Sequence, residues 1–190
     1  MDNSLVKVYQ SPKTVLTSRD LALLWQETNP DNLKSKTAYY VKQGALRRLQ
    51  NGIFAKADDY NPKEAAASFY SPSYVSFETV LLEAGIIFQY TDTVFVAAPY
   101  SATKKIDGQT YVFRKLKDKL IFNSRGIESG PVLSIATPER AFMDMIYLFP
   151  DYYFDNLKPL DWEQCFDLLR IYENTRMAGR LNRYWKKYAG

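Results

Sequence analysis

Residues 29–56 read N-P-D-N-L-K-S-K-T-A-Y-Y-V-K-Q-G-A-L-R-R-L-Q-N-G-I-F-A-K, and the layout of the chain follows from them. Asn29 is a strong N-cap, and Pro30 suits the first helical position, where a missing N–H costs nothing. Gly44 ends the helix, because glycine enters the left-handed conformation without a Cβ penalty. Between these signals Leu33, Thr37, Tyr40 and Val41 fall at i, i+4, i+7 and i+8, one buried face. The opposite face carries Ser35, Ala38, Tyr39 and Lys42, flanked by Lys34 and Lys36. It is basic and rich in hydrogen-bonding groups, with no bulky aliphatic.

A short hairpin follows. Asn51-Gly52 is a strong two-residue turn signal, of the type I′ kind that needs positive φ twice. Counting outward from it pairs Leu49 with Phe54 on one face and leaves Arg48 and Gln50 on the other. A helix feeding a tight basic hairpin is the helix–wing unit of a winged helix-turn-helix. Such a helix fits the major groove of duplex DNA, with Lys34, Ser35, Lys36, Ala38, Tyr39 and Lys42 toward the bases. Arg47 and Arg48 on the hairpin would meet phosphate or the minor groove. The rival reading is a winged-helix interaction adaptor that contacts proteins and reads no DNA.

Composition narrows the chemistry. The 190 residues include no histidine, which removes Ser-His-Asp triads, Cys-His pairs and histidine-bearing zinc sites. No catalytic residue, metal site or cofactor is expected. Cys165 is the only cysteine, so no internal disulfide forms. It stands in W-E-Q-C-F-D-L-L and reads as a buried structural thiol. No run approaches a membrane span, and the first residues lack a signal-peptide pattern, so a cytoplasmic protein is expected. The formal net charge of +4 is unevenly distributed. Basic side chains outnumber acids over residues 1–58, and from Asn174 onward Arg176, Arg180, Arg183, Lys186 and Lys187 face no acid at all. Positive charge at both ends suits a polyanionic partner.

Around the central stretch the remaining elements are placed by their own signals. Residues 3–11 read as a helix, or equally as a strand over V-K-V-Y. Val15-Leu16 reads as a short strand, and Thr17 starts a helix that carries Leu21, Leu24 and Trp25. The polar junction D-D-Y-N-P divides a winged-helix domain, 1–58, from a second domain, 59–190. The expected fold class is therefore α+β: a winged helix-turn-helix, then a mixed α/β domain with a small, mostly antiparallel sheet and flanking helices. In that domain Asn61-Pro62 opens a helix to Tyr70, and Tyr74–Ala84 reads as an amphipathic helix. Strands are expected over Thr93–Ala98, Lys104–Ile106, Thr110–Phe113, Leu120–Phe122 and Val132–Ile135. Arg114–Lys119 (R-K-L-K-D-K) reads as a solvated strand edge or turn. Thr137 caps a helix closed by Pro150, and helices follow over Trp162–Tyr172 and Arg176–Tyr188. On the last, Met177, Leu181, Tyr184, Trp185 and Tyr188 form an apolar stripe beside Arg176, Arg180, Arg183 and Lys187. That basic ridge is either the solvated edge of a docked helix, neutralised by nearby acids, or a second surface for DNA or an acidic partner.

Three segments carry a likeness: G-A-L-R-R-L-Q-N-G-I-F (Gly44–Phe54), P-S-Y-V-S-F-E-T-V-L-L-E-A-G-I (Pro72–Ile86) and S-I-A-T-P-E-R-A-F-M-D-M-I (Ser134–Ile146). In this order they resemble the AbiEi family of abortive-infection antitoxins and transcriptional regulators, over most of the chain after Val15. The resemblance implies a non-enzymatic, two-part bacterial protein. Its amino-terminal winged helix would bind double-stranded operator DNA and repress its own operon. Its second part would counteract a nucleotidyltransferase-like toxin, which it need not touch directly.

Overall fold

The structure, a computed structural model, describes residues 3–56 and 60–188, with side chains to residue 187. The chain is a mixed α+β protein that divides into two compact units, 1–69 and 70–190.

The first unit begins with α1 (Asn3–Gln10), β1 (Val15–Thr17) and α2 (Ser18–Trp25). Thr17 caps α2 with a reciprocal capping box: its hydroxyl accepts from Asp20 N–H, and the Asp20 carboxylate accepts from Thr17 N–H. Next come α3 (Pro30–Lys42), β2 (Arg47–Gln50), β3 (Ile53–Ala55) and α4 (Pro62–Phe69). The three strands form an antiparallel sheet in the order β1-β3-β2. Val8, Leu16, Leu21, Trp25, Tyr40, Leu46 and Phe54 pack into one core beneath them.

The expected boundary at 58/59 lies outside the described residues. Helix α4, expected to open the second domain, instead packs on β1 and β3. Two features fix it there. Buried Ala65 and Ala66 let the helix approach closely. Glu64, also buried, accepts hydrogen bonds from the Thr14 and Val15 N–H groups at 2.6 and 3.1 Å.

The second unit contains β4 (Tyr74–Val75), α5 (Glu78–Glu83), β5 (Val94–Ala98), β6 (Ala102–Ile106), β7 (Gln109–Lys115), α6 (Asp118–Ile121), β8 (Ile127–Ser129) and β9 (Ser134–Ala136). Helices α7 (Pro138–Leu148), α8 (Trp162–Tyr172) and α9 (Thr175–Tyr188) complete it. Its six strands run in the order β6-β7-β5-β4-β9-β8. The β5–β7 and β4–β9 ladders are parallel and the other three antiparallel, a larger and more mixed sheet than expected. Helix α7 is buried on every side from Glu139 to Ile146, and Phe142 meets the rings of Phe154, Trp162 and Tyr184.

Two readings of this unit are corrected. Tyr74 and Val75 form a central strand, and helix occupies only Glu78–Glu83. Aromatic and β-branched residues buried on both faces favour the strand, and the Tyr74 hydroxyl finds its partners across the core. Leu120 and Ile121 lie in a helical turn, since a three-residue apolar run carries no period of its own. The solvated strand edge expected at Arg114–Lys119 is exposed at Lys115, Lys117, Asp118 and Lys119, while its first cation, Arg114, is deeply engaged. The Arg114 guanidinium is bidentate to Glu78 at 2.5 and 2.6 Å, and lies within 4.9 Å of the Phe77, Phe95 and Phe149 ring centres.

Candidate nucleic-acid interface

Helix α3 is set by its ends. Asn29 Oδ1 accepts from the Asp31 and Asn32 N–H groups, and Pro30 occupies the first turn. At the other end Gly44, at φ +72°, lets Ala45 N–H reach Tyr40 O at 3.0 Å while Gly44 N–H bonds Val41 O at 3.1 Å. This pair of bonds is the Schellman closure, and it points the chain directly into β2. Thr37 and Tyr40 are buried, with Leu33 and Val41 half-buried. The buried Thr37 hydroxyl donates back to Leu33 O at 2.6 Å.

The opposite face is open. Lys34, Ser35, Ala38, Tyr39 and Lys42 are all exposed. The Tyr39 ring, 56% exposed, stands edge-on to Tyr40, which in turn packs against Trp25. Lys36 differs from its neighbours. It is half-buried and turned toward α2, its ammonium 4.8 Å from the Trp25 ring centre.

The hairpin departs from the expected register. Arg48, not Leu49, lies opposite Phe54, and a bulge between Arg48 and Gln50 leaves Leu49 outside the ladder, where it is buried. Gly52 has φ +76°, but Asn51 is not among the described residues with positive φ, so the turn is not type I′. The bulge reconciles two demands. It buries Leu49 and still sends Arg48 outward over its cross-strand partner, the guanidinium 5.6 Å from the Phe54 ring centre. Arg47 is half-buried, opposite Ala55. Lys56, at the hairpin's base, donates to Ser11 O at 2.5 Å, and burial lowers its pKa.

A groove of about 340 Å³ runs between α3 and the hairpin. Pro30, Leu33, Lys34 and Thr37 line one wall and Arg48 and Phe54 the other, with Asn51, Gly52 and Ser18 at one end. Lys34, Lys42 and Arg48 pair with no described carboxylate. Ser18, Asn51 and Gly52 were not expected as binding residues from the sequence. The Asn-Gly turn signal located two of them, but only the fold brings Ser18 against them, through Ser18 N–H to Gly52 O at 2.7 Å.

The basic ridge of α9 is arranged differently. Met177, Leu181 and Tyr184 are buried, and Trp185 packs edge-on to Phe166; the Tyr188 side chain lies outside the described residues. Arg180 donates to Ile146 O and Tyr147 O, both at 2.9 Å, covering carbonyls at the end of α7. Arg183 pairs with Asp151 at 2.8 Å and also donates to Pro150 O. Arg176 and Lys187 are exposed.

Two further sites are buried. Cys165 is fully buried, and burial pushes its thiol up, with Glu139 and Asp161 adding to the effect; it stays protonated and unreactive. Arg140 and Asp144, both at 0% exposure, form an i,i+4 pair at 3.1 Å. Asp144 also accepts from Tyr74 and Ser76 at 2.9 and 3.0 Å and from Tyr172 at 2.7 Å. Burial and the adjoining carboxylate raise both tyrosines, so their hydroxyls remain donors. Among the described residues no group of acids or cysteine is placed to hold a metal ion, and no helix is long and apolar enough to cross a membrane. Comparison with protein-family models and with curated proteins finds no match to this chain.

Proposed function

We propose that this chain is a DNA-binding transcriptional repressor and antitoxin of the AbiEi type, acting in the bacterial cytoplasm. Its first unit is then a winged helix-turn-helix, with α2 as the supporting helix, α3 in the major groove and the β2–β3 hairpin as the wing. Its second unit carries the activity that counteracts a nucleotidyltransferase-like toxin. The observation that carries the DNA-binding part is the contiguous exposed surface of Lys34, Ser35, Ala38, Tyr39, Lys42 and Arg48, whose cations pair with no described carboxylate. Lysine and arginine reach phosphates, Ser35 and Tyr39 offer hydroxyls to base edges, and Ala38 permits close approach or contact with a thymine methyl.

Fluorescence anisotropy of the chain on the duplex upstream of its own gene tests this. Roughly four to six phosphate contacts give a log–log salt slope near −4 to −5 and a clear preference over a scrambled duplex. A chain that binds neither duplex is the interaction adaptor instead.

A further inference from the structure

We propose that the groove between α3 and the hairpin is an oxyanion seat. It takes a single backbone phosphate of duplex DNA, gripped from the helix by Lys34 and from the hairpin by Arg48. The proposal rests on the DNA-binding reading and adds to it how two elements share one phosphate.

The chemistry of the groove is one-sided. Each of its walls carries apolar surface, from Leu33 on the helix side and Phe54 on the hairpin side. Its two charged side chains are both cations, and neither pairs with a described carboxylate. Two carbonyls near the groove are already engaged: Gly52 O takes the Ser18 N–H at 2.7 Å, and Leu33 O takes the Thr37 hydroxyl at 2.6 Å. The groove offers a guest an ammonium, a guanidinium and the neutral Ser18 hydroxyl and Asn51 amide, each of which can donate to an anion. A carboxylate, sulfate or phosphate answers that set, and a cation does not.

Two details favour a phosphate still attached to a duplex. Arg48 is held over the Phe54 ring, so its fork is orientated before the ligand arrives. The groove is flanked by the exposed α3 face, along which a DNA strand bearing that phosphate would continue. Gly52 keeps the end open. A Cβ there would meet Ser18 Oγ at 3.3 Å, and φ +76° already disfavours a side chain.

The test compares the wild-type chain with Lys34→Gln, Arg48→Gln and the double variant on the duplex upstream of its own gene across a salt series. If one phosphate is shared, each single change weakens binding about tenfold, and the double change no more than about thirtyfold. The salt slope then falls by about one in all three variants. One methylphosphonate position in the duplex should weaken the wild type about as much as the double substitution, and leave the double variant unaffected. Multiplying losses and a slope reduced by about two would place Lys34 and Arg48 on separate phosphates. That result overturns the seat and leaves DNA binding intact. A wild-type chain that binds no duplex overturns the seat together with the DNA-binding reading.

Discussion

Arg48 in the first unit and Arg140 in the second are the same side chain in opposite settings. Arg48 is exposed, leans on one aromatic ring and pairs with no described carboxylate. Arg140 is wholly buried, and each of its nitrogens donates: Nε to Asp144, Nη1 to Asn123 O and Arg125 O, Nη2 to the Tyr74 hydroxyl and Leu120 O. Burial alone would disfavour its charge, yet Asp144 and the two tyrosines outweigh that and hold the proton more firmly than in water. Arg114, between Glu78 and three phenylalanine rings, belongs with Arg140. The contrast gives a rule for this molecule: a guanidinium whose donors are already matched by fixed acceptors shapes the fold, and one that faces solvent unmatched is available to a ligand.

The rule is most severely tested at Asp144. Replacing it with alanine strands a buried guanidinium and removes an acceptor from Tyr74, Ser76 and Tyr172. Chemical denaturation should show a loss of about 3–5 kcal/mol. A midpoint unchanged from wild type would break the comparison at its buried end. Its exposed end is tested by changing Lys34, Lys42 and Arg48 together to glutamine. DNA affinity should fall by about a hundredfold or more, while stability stays within about 0.5 kcal/mol. Loss of folding here would mean these cations hold the unit together.

Helix α9 lies between the two extremes. Glutamine at Arg176, Arg180 and Arg183 should lower stability by about 1 kcal/mol, mainly through the α7 carbonyls that Arg180 covers, and leave the salt slope of DNA binding untouched. A slope reduced by up to about three would move this ridge into the DNA-binding surface. The smallest effect concerns Asp20. Burial raises its carboxyl, but the Lys13 hydrogen bond and the Thr17 N–H and hydroxyl outweigh burial and hold it below the usual range. A depressed folded-state pKa stabilises above the unfolded value of 3.8 and is lost as pH falls through the folded one. Asp20→Asn should therefore weaken the fold at neutral pH and narrow its difference from wild type below about pH 4 in acid unfolding curves. A constant difference at all pH values would show that capping geometry, and not charge, is what Asp20 contributes.

The sequence revealed structure wherever the cause was local. Asn29, Pro30 and Gly44 bracket α3 because caps act within one helical turn, and the exposed and buried faces of that helix follow from its period. Turn signals were less reliable. Asn51-Gly52 and Asp107-Gly108 look alike in sequence, yet only the second has positive φ at both residues, joining Ile106 directly to Gln109. In the first, the need to bury Leu49 shifted the register. The Arg140–Asp144 pair stood at visible spacing on α7, but its meaning did not. Its partners Tyr74, Ser76 and Tyr172 arrive from other elements, and no local pattern announces them. For the same reason the chemistry of the groove was legible in Lys34 and Arg48, but its shape was not.

Strand β4 sits between β5 and β9, and its parallel ladder joins Val75 to Ile135. During synthesis that pairing must wait until some sixty further residues have been added, roughly 3–12 s at ribosomal rates. The strands of the first unit are complete by Ala55, and α4 by Phe69. The first unit can therefore fold on the ribosome while the centre of the second sheet is still an exposed, half-paired edge. For that interval Tyr74 and Val75 present one unpaired strand edge, the kind of edge that invites wrong pairing.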